Sequence, residues 1–203
     1  MSGKDRLFSR GAGAAGEFVF DERVVRVFPD MISRSVPGYE LVVPLTGLLA
    51  RRHAQDDSRV YDLGCSLGAT TLAMRAAIRA RRVEIIAVDG SPAMVDSCRE
   101  RVSGDDSDIP VTVIESDILD IGIEDASVVA MNYTLQFIEP ADRAGLLARI
   151  HHGLRPGGIL LLSEKIRFEH AEEQDDQTAW HEDFKRAMGY SELEIAGKRT
   201  ALE

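Results

Sequence analysis

The sequence contains 203 residues, of which 44% are hydrophobic, so the chain is long enough to bury one full-sized core. Its net charge of −10 argues against a broad basic face for nucleic acid, and no stretch is long and apolar enough to cross a membrane. The two cysteines, Cys65 and Cys98, suggest neither a disulfide framework nor a zinc site, and Met1 precedes charged residues rather than a secretory signal. We therefore expect a cytoplasmic protein that binds neither a membrane nor, directly, nucleic acid.

No shift in composition marks a second domain. We predict a single domain over residues 1–203, with a flexible tail and N-terminal helical cap at 1–57 and an α/β core plus C-terminal helical segment at 58–203. Residues 11–16 formally match G-x-G-x-x-G, but no predicted strand precedes them. We interpret that match as a linker.

The predicted cap consists of short helices. Asp21 can cap a first helix, and Pro29 fits the first turn of a second one. Over residues 39–53 apolar side chains recur at helical spacing, although Pro44 must kink this helix or fall in its first turn. We expect this region to cover a cleft of the core from the side. Its apolar stripe comprises Leu41, Val42, Leu45, Leu48 and Leu49.

The α/β core is predicted to begin with a strand, a glycine loop and a helix. Val60, Tyr61 and Leu63 suit a buried strand, residues 64–68 form the loop, and 70–82 have helical composition. Such a loop lets a ligand approach the backbone closely, and the helix N-terminus offers unpaired N–H groups. We therefore expect the loop to hold a small polar or charged molecule.

Two motifs fit this loop and predict different chemistry. As Asp62-x-Gly64-x-x-x-Gly68 it resembles the first motif of Rossmann-like transferases that bind S-adenosylmethionine. As Gly64-Cys65-Ser66-Leu67-Gly68 it satisfies G-x-S-x-G, the nucleophile elbow of hydrolases, with Ser66 as nucleophile. A hydrolase also needs an oxyanion-hole loop from an earlier strand, and the preceding residues are predicted to be helical. We therefore favour the cofactor interpretation.

Polar residues follow the next three predicted strands. Asp89 ends the strand at 83–88 and lies 21 residues after Gly68, close to the spacing at which an acid accepts ribose hydroxyls, although it could also be a turn residue. Asp117 follows the strand at 111–114, where it could bond adenine or cap a helix. Asn132 follows the strand at 128–131. Because ligands bind outside the carboxyl ends of parallel strands, these positions and Gly64 predict one site.

The remaining chain is predicted to contain a helix at 140–154, a fifth strand at 159–162 and a solvated acidic stretch at 170–176. Beyond it, Trp180, Phe184 and Met188 share one helical face. His181 could lie near the pocket, but a lone helical histidine is more often structural.

Several motifs together resemble the carboxy-S-adenosyl-L-methionine synthase family. They are FDERV at 20–24, VFPDMI at 27–32, RSVPGY at 34–39, YDLGCSLG at 61–68, TLQF at 134–137, SEK at 163–165, DFKRA at 183–187 and GYSELEI at 189–195, followed by Lys198 and Arg199. The resemblance covers nearly the whole chain. It implies a Rossmann-like fold with a mostly parallel sheet, helices on both faces and an N-terminal helical lid.

The resemblance also implies a reaction. Members of this family convert S-adenosyl-L-methionine and prephenate to carboxy-S-adenosyl-L-methionine and phenylpyruvate, without a metal. A partner enzyme, a tRNA carboxymethyltransferase, then uses the product to build the oxyacetyl group on wobble uridines of tRNA. A homodimer is implied by the family alone. An ordinary methyltransferase, or a silent module that only binds S-adenosylmethionine, would keep the same loop and Asp89.

The resemblance implies ten site residues. Those expected to line the cofactor site are Tyr39, Gly64, Cys65, Ser66, Asp89, Gly90, Asp117, Ile118, Asn132 and Arg199. Arg199 is also the catalytic candidate, because a guanidinium can read the extra carboxylate of the product in a bidentate manner. Arg199, with Lys165 or Arg34, could also steer the prephenate dianion into the site.

The sequence departs from the family in two places. Gly90 stands where the family usually has asparagine, so we expect weaker binding of the adenosine part of the cofactor. The family also continues beyond the equivalent of Glu203 with the strands that close the sheet. We therefore expect either that this chain is cut short or that something else completes the sheet.

Overall fold

The computed structural model describes residues 3–9 and 19–202. They divide into two compact units, which we call the terminal unit (Met1–Glu40 with Ile166–Glu203) and the sheet unit (Leu41–Lys165). The prediction of a single domain over 1–203 stays a prediction. The G-x-G-x-x-G match at 11–16 lies outside the described residues.

The described chain alternates helices and strands after two N-terminal helices. The helices are α1 (Glu22–Ser35), α2 (Tyr39–His53), α3 (Ala69–Ala77), α4 (Pro92–Ser103), α5 (Pro140–Gly153), α6 (Ala171–Ala187) and α7 (Glu192–Leu202), with a 3-10 turn at Leu135–Phe137. The strands are β1 (Arg59–Leu63), β2 (Glu84–Asp89), β3 (Val111–Glu115), β4 (Ala126–Asn132) and β5 (Leu154–Ser163).

The five strands form one sheet in the order β3-β2-β1-β4-β5, and all of their pairings are parallel. This order confirms the predicted α/β fold with a parallel sheet. Alternate residues of each strand face opposite sides, so β1 buries Tyr61 and Leu63 in one cluster and Val60 in the other. Helix α5 adds Leu146 and Ile150 to the first cluster. The chain order reverses between β1 and β4, which places a ligand crevice at the carboxyl ends of the central strands.

The N-terminal helices differ from the sequence prediction. Asp21 caps α1 by accepting hydrogen bonds from the N–H groups of Arg23 and Val24, as predicted. The prediction that Pro29 opens a second helix is wrong, because α1 runs through it to Ser35. Pro29 lies at the eighth residue of α1 rather than in a first turn, so the ring is accommodated within one helix.

Helix α2 also differs from its prediction. It buries the small residues Thr46, Gly47 and Ala50, whereas Leu41, Leu45 and Leu48 are 70%, 47% and 59% exposed. Gly47 explains this choice of face, because a Cβ there would lie 2.6 Å from the carbonyl oxygen of Ala73 on α3. The close approach of α2 and α3 thus requires the small face, and the leucine stripe points to solvent.

Two further sequence predictions concern α6 in the terminal unit. Trp180 is 61% exposed and Met188 39% exposed, so the apolar face predicted for α6 is not a buried one. A ring nitrogen of His181 lies 2.7 Å from the carbonyl oxygen of Ser35, which fits the structural role predicted for it. Within the described ranges, no helix is both long and apolar enough to span a bilayer.

Candidate cofactor site at the strand ends

The glycine loop after β1 has a backbone that ordinary side chains disfavour. Gly64, Ser66 and Gly68 have φ angles of 80°, 49° and 81°, in the left-handed region. A Cβ on Gly64 would also lie 2.1 Å from Oγ1 of Thr134, closer than any real contact. Glycine is therefore required at position 64 by both the backbone angle and the lack of space.

The loop is fixed over the end of β2. The N–H groups of Gly64 and Cys65 both donate to the carbonyl oxygen of Val88, at 2.8 and 2.9 Å. The N–H of Gly68 donates to the carbonyl oxygen of Cys65 at 2.8 Å, and α3 begins at the next residue. These bonds bring the loop directly beside Asp89, the last residue of β2.

The carboxylate of Asp89 is oriented by two backbone donors. Its Oδ2 accepts the N–H of Ser66 at 2.8 Å, and its Oδ1 accepts the N–H of Ser91 at 2.9 Å. Each carboxylate oxygen can accept a second hydrogen bond, so the group is held in place with acceptor capacity to spare. Burial raises the pKa of Asp89, while these two N–H groups act in the opposite direction. A ribose diol offers the two donors that this arrangement suits.

A second acid, Asp62, lies buried in β1 beneath the loop. Thr71 of α3 donates its hydroxyl to Oδ2 of Asp62 at 2.5 Å. Burial and, to a smaller extent, the nearby charge of Asp89 raise the pKa of Asp62 to about 7, although the hydrogen bonds from Thr71 act in the opposite direction. Because a positive charge nearby would favour the ionised form, the two acids together suit a cationic ligand. S-adenosylmethionine, with its sulfonium and ammonium groups, is such a ligand.

Asn132 at the end of β4 leaves one acceptor unused. Its Nδ2 donates to the hydroxyls of Thr46 and Thr70, at 3.3 and 3.2 Å. Its Oδ1 is buried and has no hydrogen-bond partner among the described residues. An unpaired buried acceptor is costly, so a ligand N–H that reached it would gain binding energy. The sequence indicated Asn132 but gave no signal for the two threonines that orient it.

The residues after β2 and β3 have simpler surroundings. Asp117 is exposed and accepts the N–H of Leu119 at 2.8 Å, so it stabilises its own turn. The side chain of Ile118 is 5% exposed and packs in the core. A Cβ on Gly90 would meet only the carbonyl oxygen of Ser116, at 3.9 Å, so space for a side chain exists there. The role of Asp117 toward adenine stays a prediction.

The hydrolase interpretation requires a base beside Ser66, and the hydrogen bonds of the described residues give its hydroxyl none. The hydroxyl of Ser66 donates to the sulfur of Met94 at 3.4 Å, and a thioether cannot take up a proton as a histidine would. Cys65 is also unsuited to nucleophilic attack, because the adjacent Cys98 thiol and burial both raise its pKa. The loop therefore has the features of a binding element rather than of a nucleophile elbow.

The segment after β4 is held by Glu164, which follows β5. Its Oε1 accepts the N–H of Leu135 at 2.5 Å, and the N–H groups of Thr134 and Gln136 also bond this carboxylate. Glu164 therefore holds the segment that places Thr134 against Gly64. Sequence reasoning quoted Ser163-Glu164-Lys165 as a motif but assigned Glu164 no role, because its partners are backbone N–H groups.

The remaining predicted residues belong to the terminal unit. Tyr39 is the first residue of α2, and Arg199 lies on α7, where its half-exposed guanidinium pairs with Glu182 of α6. Arg34 is not available to steer prephenate, because it is buried, pairs with Asp30 at 3.1 Å and donates to the carbonyl oxygen of Met188 at 2.7 Å. The part of the chain that the structure describes contains no group of three or more His, Cys, Asp or Glu that could hold a metal ion.

Comparison with known proteins extends the likeness to the whole chain. A family model for a methyltransferase domain matches residues 60–158. The carboxy-S-adenosyl-L-methionine synthase of Aliivibrio fischeri (strain MJ11) is 55% identical over 203 residues, which are 100% of this chain and 84% of that protein. The synthase of the same name from Vibrio cholerae serotype O1 (strain M66-2) is 56% identical over 100% of this chain and 82% of that protein.

Solved structures with similar folds are more distant in sequence. A protein of Methanococcus maripaludis (mmp1179) aligns with a TM-score of 0.58 at 18% identity, over 93% of this chain and 86% of that protein. CalS10, an amino pentose methyltransferase from Micromonospora echinaspora with S-adenosylmethionine bound, gives a TM-score of 0.53 at 19% identity, over 77% and 61% of the two chains. At such identities the likeness establishes the Rossmann-like methyltransferase fold alone.

Proposed function

Because this chain belongs to the carboxy-S-adenosyl-L-methionine synthase family of transferases, we propose that it converts S-adenosyl-L-methionine and prephenate to carboxy-S-adenosyl-L-methionine and phenylpyruvate. The observation that supports this most is 55% identity to such a synthase along the whole chain. In this proposal the product goes to a tRNA carboxymethyltransferase that forms the oxyacetyl group of wobble uridines. The protein itself is cytoplasmic and has no direct contact with nucleic acid.

The residues at the strand ends would bind S-adenosylmethionine. Asp89, held by two N–H donors, would accept the ribose hydroxyls, and the loop at 64–66 would lie against the amino-acid end. The unpaired Oδ1 of Asn132 would accept a ligand N–H. Asp62 and Asp89 would supply the negative charge that a sulfonium and an ammonium group require.

The proposed reaction needs no acid–base pair from the protein. The bond from the prephenate ring to its carboxylate breaks, and that electron pair makes the ring aromatic and expels the ring hydroxyl. The expelled hydroxide takes a proton from the sulfonium methyl group and becomes water. The methyl carbon keeps the electron pair of the broken C–H bond and bonds to the released carbon dioxide. Bulk water would interfere with this step, so the N-terminal helices around Tyr39 would serve as a lid.

Arg199 is proposed to read the carboxylate that distinguishes the product. Its planar guanidinium can bind a carboxylate through two parallel hydrogen bonds. Glu182 pairs with the Arg199 guanidinium in the absence of ligand. A guanidinium has five N–H donors, so donors remain for a second carboxylate, that of the ligand. We also propose a homodimer. Leu41, Leu45 and Leu48 of α2 offer an exposed apolar stripe that would suit a second copy.

The test is incubation of purified protein with S-adenosylmethionine and prephenate, followed by mass spectrometry of the released nucleoside. We expect a nucleoside heavier than S-adenosylmethionine by one carbon dioxide, together with phenylpyruvate. Unchanged S-adenosylmethionine would leave only an ordinary methyltransferase or a silent binding module. Labelling of Ser66 by a fluorophosphonate would instead favour a hydrolase.

Arg199 is tested by its affinity for each ligand. We expect Arg199→Ala to weaken binding of carboxy-S-adenosylmethionine by about 2–5 kcal/mol, because the bound ligand would cover the guanidinium, half-exposed without ligand, and its carboxylate would lose that partner. Plain S-adenosylmethionine should lose much less. Arg199→Lys keeps the positive charge but loses the planar, bidentate guanidinium. Its affinity for carboxy-S-adenosylmethionine should therefore lie between those of wild type and Arg199→Ala. An equal loss for both ligands would show that Arg199 supports the fold instead.

A further inference from the structure

The terminal unit contains a buried ion pair that the proposed reaction does not use. Oδ2 of Asp5 accepts a hydrogen bond from Nζ of Lys198 at 2.7 Å and another from the hydroxyl of Tyr190 at 2.6 Å. These residues are 1%, 2% and 5% exposed. Asp5 lies far from the other two in the chain: it is in the N-terminal segment 3–9, whereas Tyr190 directly precedes α7 and Lys198 is on α7.

A second layer of charges surrounds this pair. The Asp5 N–H donates to Oδ2 of Asp30 on α1 at 2.7 Å, and Arg34 pairs with the same oxygen at 3.1 Å. The guanidinium of Arg34 lies 3.9 Å from the centre of the Tyr190 ring. Two acids and two bases thus form a balanced network that joins the N-terminal segment, α1 and α7. We call it the Asp5 clasp, meaning Asp5, Asp30, Arg34, Tyr190 and Lys198.

The N-terminal segment also packs tightly on α7. A Cβ on Gly197 would lie 2.9 Å from Cδ1 of Phe8, so only glycine permits this approach. On α7, Ile195 and Lys198 are 2% exposed while Arg199 is exposed. Consecutive residues of a helix point about 100° apart around its axis, so the buried position of Lys198 sets the direction of Arg199.

Stability alone does not account for such a pair. Two charges removed from water recover their desolvation cost only with good geometry, and apolar replacements are often equally stable. In some proteins a buried pair instead favours a single arrangement, because the charges are satisfied in one geometry, and we expect that role here. The clasp therefore defines the rotation and the axial position of α7 more strictly than apolar packing would.

We infer that Asp5, Tyr190 and Lys198 are positioning residues that fix the orientation of α7, and through it the carboxylate-reading geometry of Arg199. They do not touch the ligand in this scheme. The inference rests on the proposed function of Arg199. Its consequence is that selectivity for the carboxylated ligand depends on a residue near the N-terminus, Asp5.

The experiment compares two dissociation constants in the full chain. Carboxy-S-adenosylmethionine and S-adenosylmethionine are titrated by calorimetry into wild-type protein and into Asp5→Asn, Lys198→Met and Tyr190→Phe. We expect Asp5→Asn and Lys198→Met to reduce the preference for the carboxylated ligand roughly tenfold, because displaced guanidinium donors lose most of a bidentate hydrogen-bonded contact. Affinity for S-adenosylmethionine should change less than about threefold, because none of the three residues is at a strand end.

Tyr190→Phe keeps the inference testable if a charge variant does not fold. It keeps the ring that Arg34 and Lys198 contact and removes the hydroxyl, which donates to Asp5 at 2.6 Å and accepts the longer, 3.4 Å bond of the Ser35 hydroxyl. We expect a reduction of roughly threefold in the preference, in line with one neutral hydrogen bond. Ile195→Val is the matched control: it loosens the buried face of α7 without changing the charges, and its preference should match that of wild type.

The outcomes separate the two proposals. A wild-type protein without preference for the carboxylated ligand would overturn the proposed function, and this inference with it. If Asp5→Asn, Lys198→Met and Tyr190→Phe all fold and all keep the wild-type preference, the inference alone is overturned. A reduction as large in Ile195→Val as in the clasp variants would also overturn it, because general loosening of α7 would then be the cause.

Discussion

The two units of this protein hold their acidic groups in different ways. In the sheet unit, Asp89 is oriented by backbone N–H groups and Asp62 by a hydroxyl. In the terminal unit, Asp5 is held by the ammonium group of Lys198 and the hydroxyl of Tyr190. Acids held by neutral donors have no counter-charge from the protein, so a cationic ligand can supply it and favour their ionised forms. An acid paired with a base in the interior is already neutralised, and its contribution is to fix structure.

The sharpest way to break this comparison is to remove the base of the buried pair. Lys198→Met keeps most of the side-chain volume but leaves Asp5 buried without its counter-charge. We expect the free energy of unfolding to fall by about 3–5 kcal/mol at pH 7, the usual cost of removing one partner of a buried pair. Urea denaturation followed by circular dichroism would measure it.

The control for that variant is an exposed ion pair of the same unit. Arg186 on α6 pairs with Asp183 and Glu192 at the surface, so Arg186→Met should have little effect on stability. If Lys198→Met lowered the free energy of unfolding no more than Arg186→Met does, the buried pair would not be what holds the terminal unit together.

The second prediction concerns the backbone of the sheet unit. Gly64→Ala combines a φ of 80° with a Cβ 2.1 Å from Thr134, so we expect a loss of about 2–4 kcal/mol in unfolding free energy. Gly122→Ala is the matched control, because no atom lies within 4 Å of its added Cβ. Thermal denaturation of both variants would show the difference. Equal melting temperatures would mean that the loop adapts freely.

Local sequence patterns predicted much of the sheet unit and little of the terminal unit. Residues 60–68, Asp89 and Asn132 were predicted from local patterns, because strand ends and glycine loops are specified by neighbouring residues. In the structure the loop does lie beside the end of β2, next to Asp89. The mostly parallel sheet was expected from the resemblance to the family, whereas the order of the strands was not predicted.

Contacts between residues far apart in the chain could not be predicted from the sequence. Nothing near Asp5 indicates a partner 193 positions away, and a lysine near the C-terminus looks like a surface charge. The face of α2 was predicted wrongly for a similar reason. Its leucines gave the stronger apolar signal, but the close approach of α3 at Gly47 selected the small face. Packing between distant segments decided both cases.

The third prediction uses pH to sharpen the contrast between the units. The pKa of Asp62 is about 7 in the folded protein and 3.8 as the ordinary value, so the folded state binds the proton more tightly. Its stabilising contribution is complete below pH 3.8 and is lost as the pH rises toward 7. Between about pH 5.5 and about pH 6.5 we expect Asp62→Asn to gain about 1.4 kcal/mol over wild type.

Unfolding free energies of wild type and Asp62→Asn at several pH values would measure this difference. The amide oxygen introduced by Asp62→Asn would still accept the hydroxyl of Thr71, so the variant changes the charge and little else. Asp5 behaves with the opposite sign, because burial, which would raise its pKa, is outweighed by the pairing with Lys198 and Tyr190, which lowers it. A constant difference between the two proteins over this range would show that Asp62 titrates normally.

The smallest expected effect tests whether the strand-end site can be improved. Gly90 has no left-handed φ and no atom closer than 3.9 Å to an added Cβ, so Gly90→Asn should change stability by less than about 0.5 kcal/mol. If the family's usual asparagine bonds the adenosine part, one neutral hydrogen bond would tighten S-adenosylmethionine binding about 2- to 10-fold. Gly90→Ala fills the space without a hydrogen-bonding group and should bind as wild type does. Equal affinities of Gly90→Asn and Gly90→Ala, measured by calorimetry, would mean that position 90 contributes through its backbone alone, as Ser66 and Ser91 do toward Asp89.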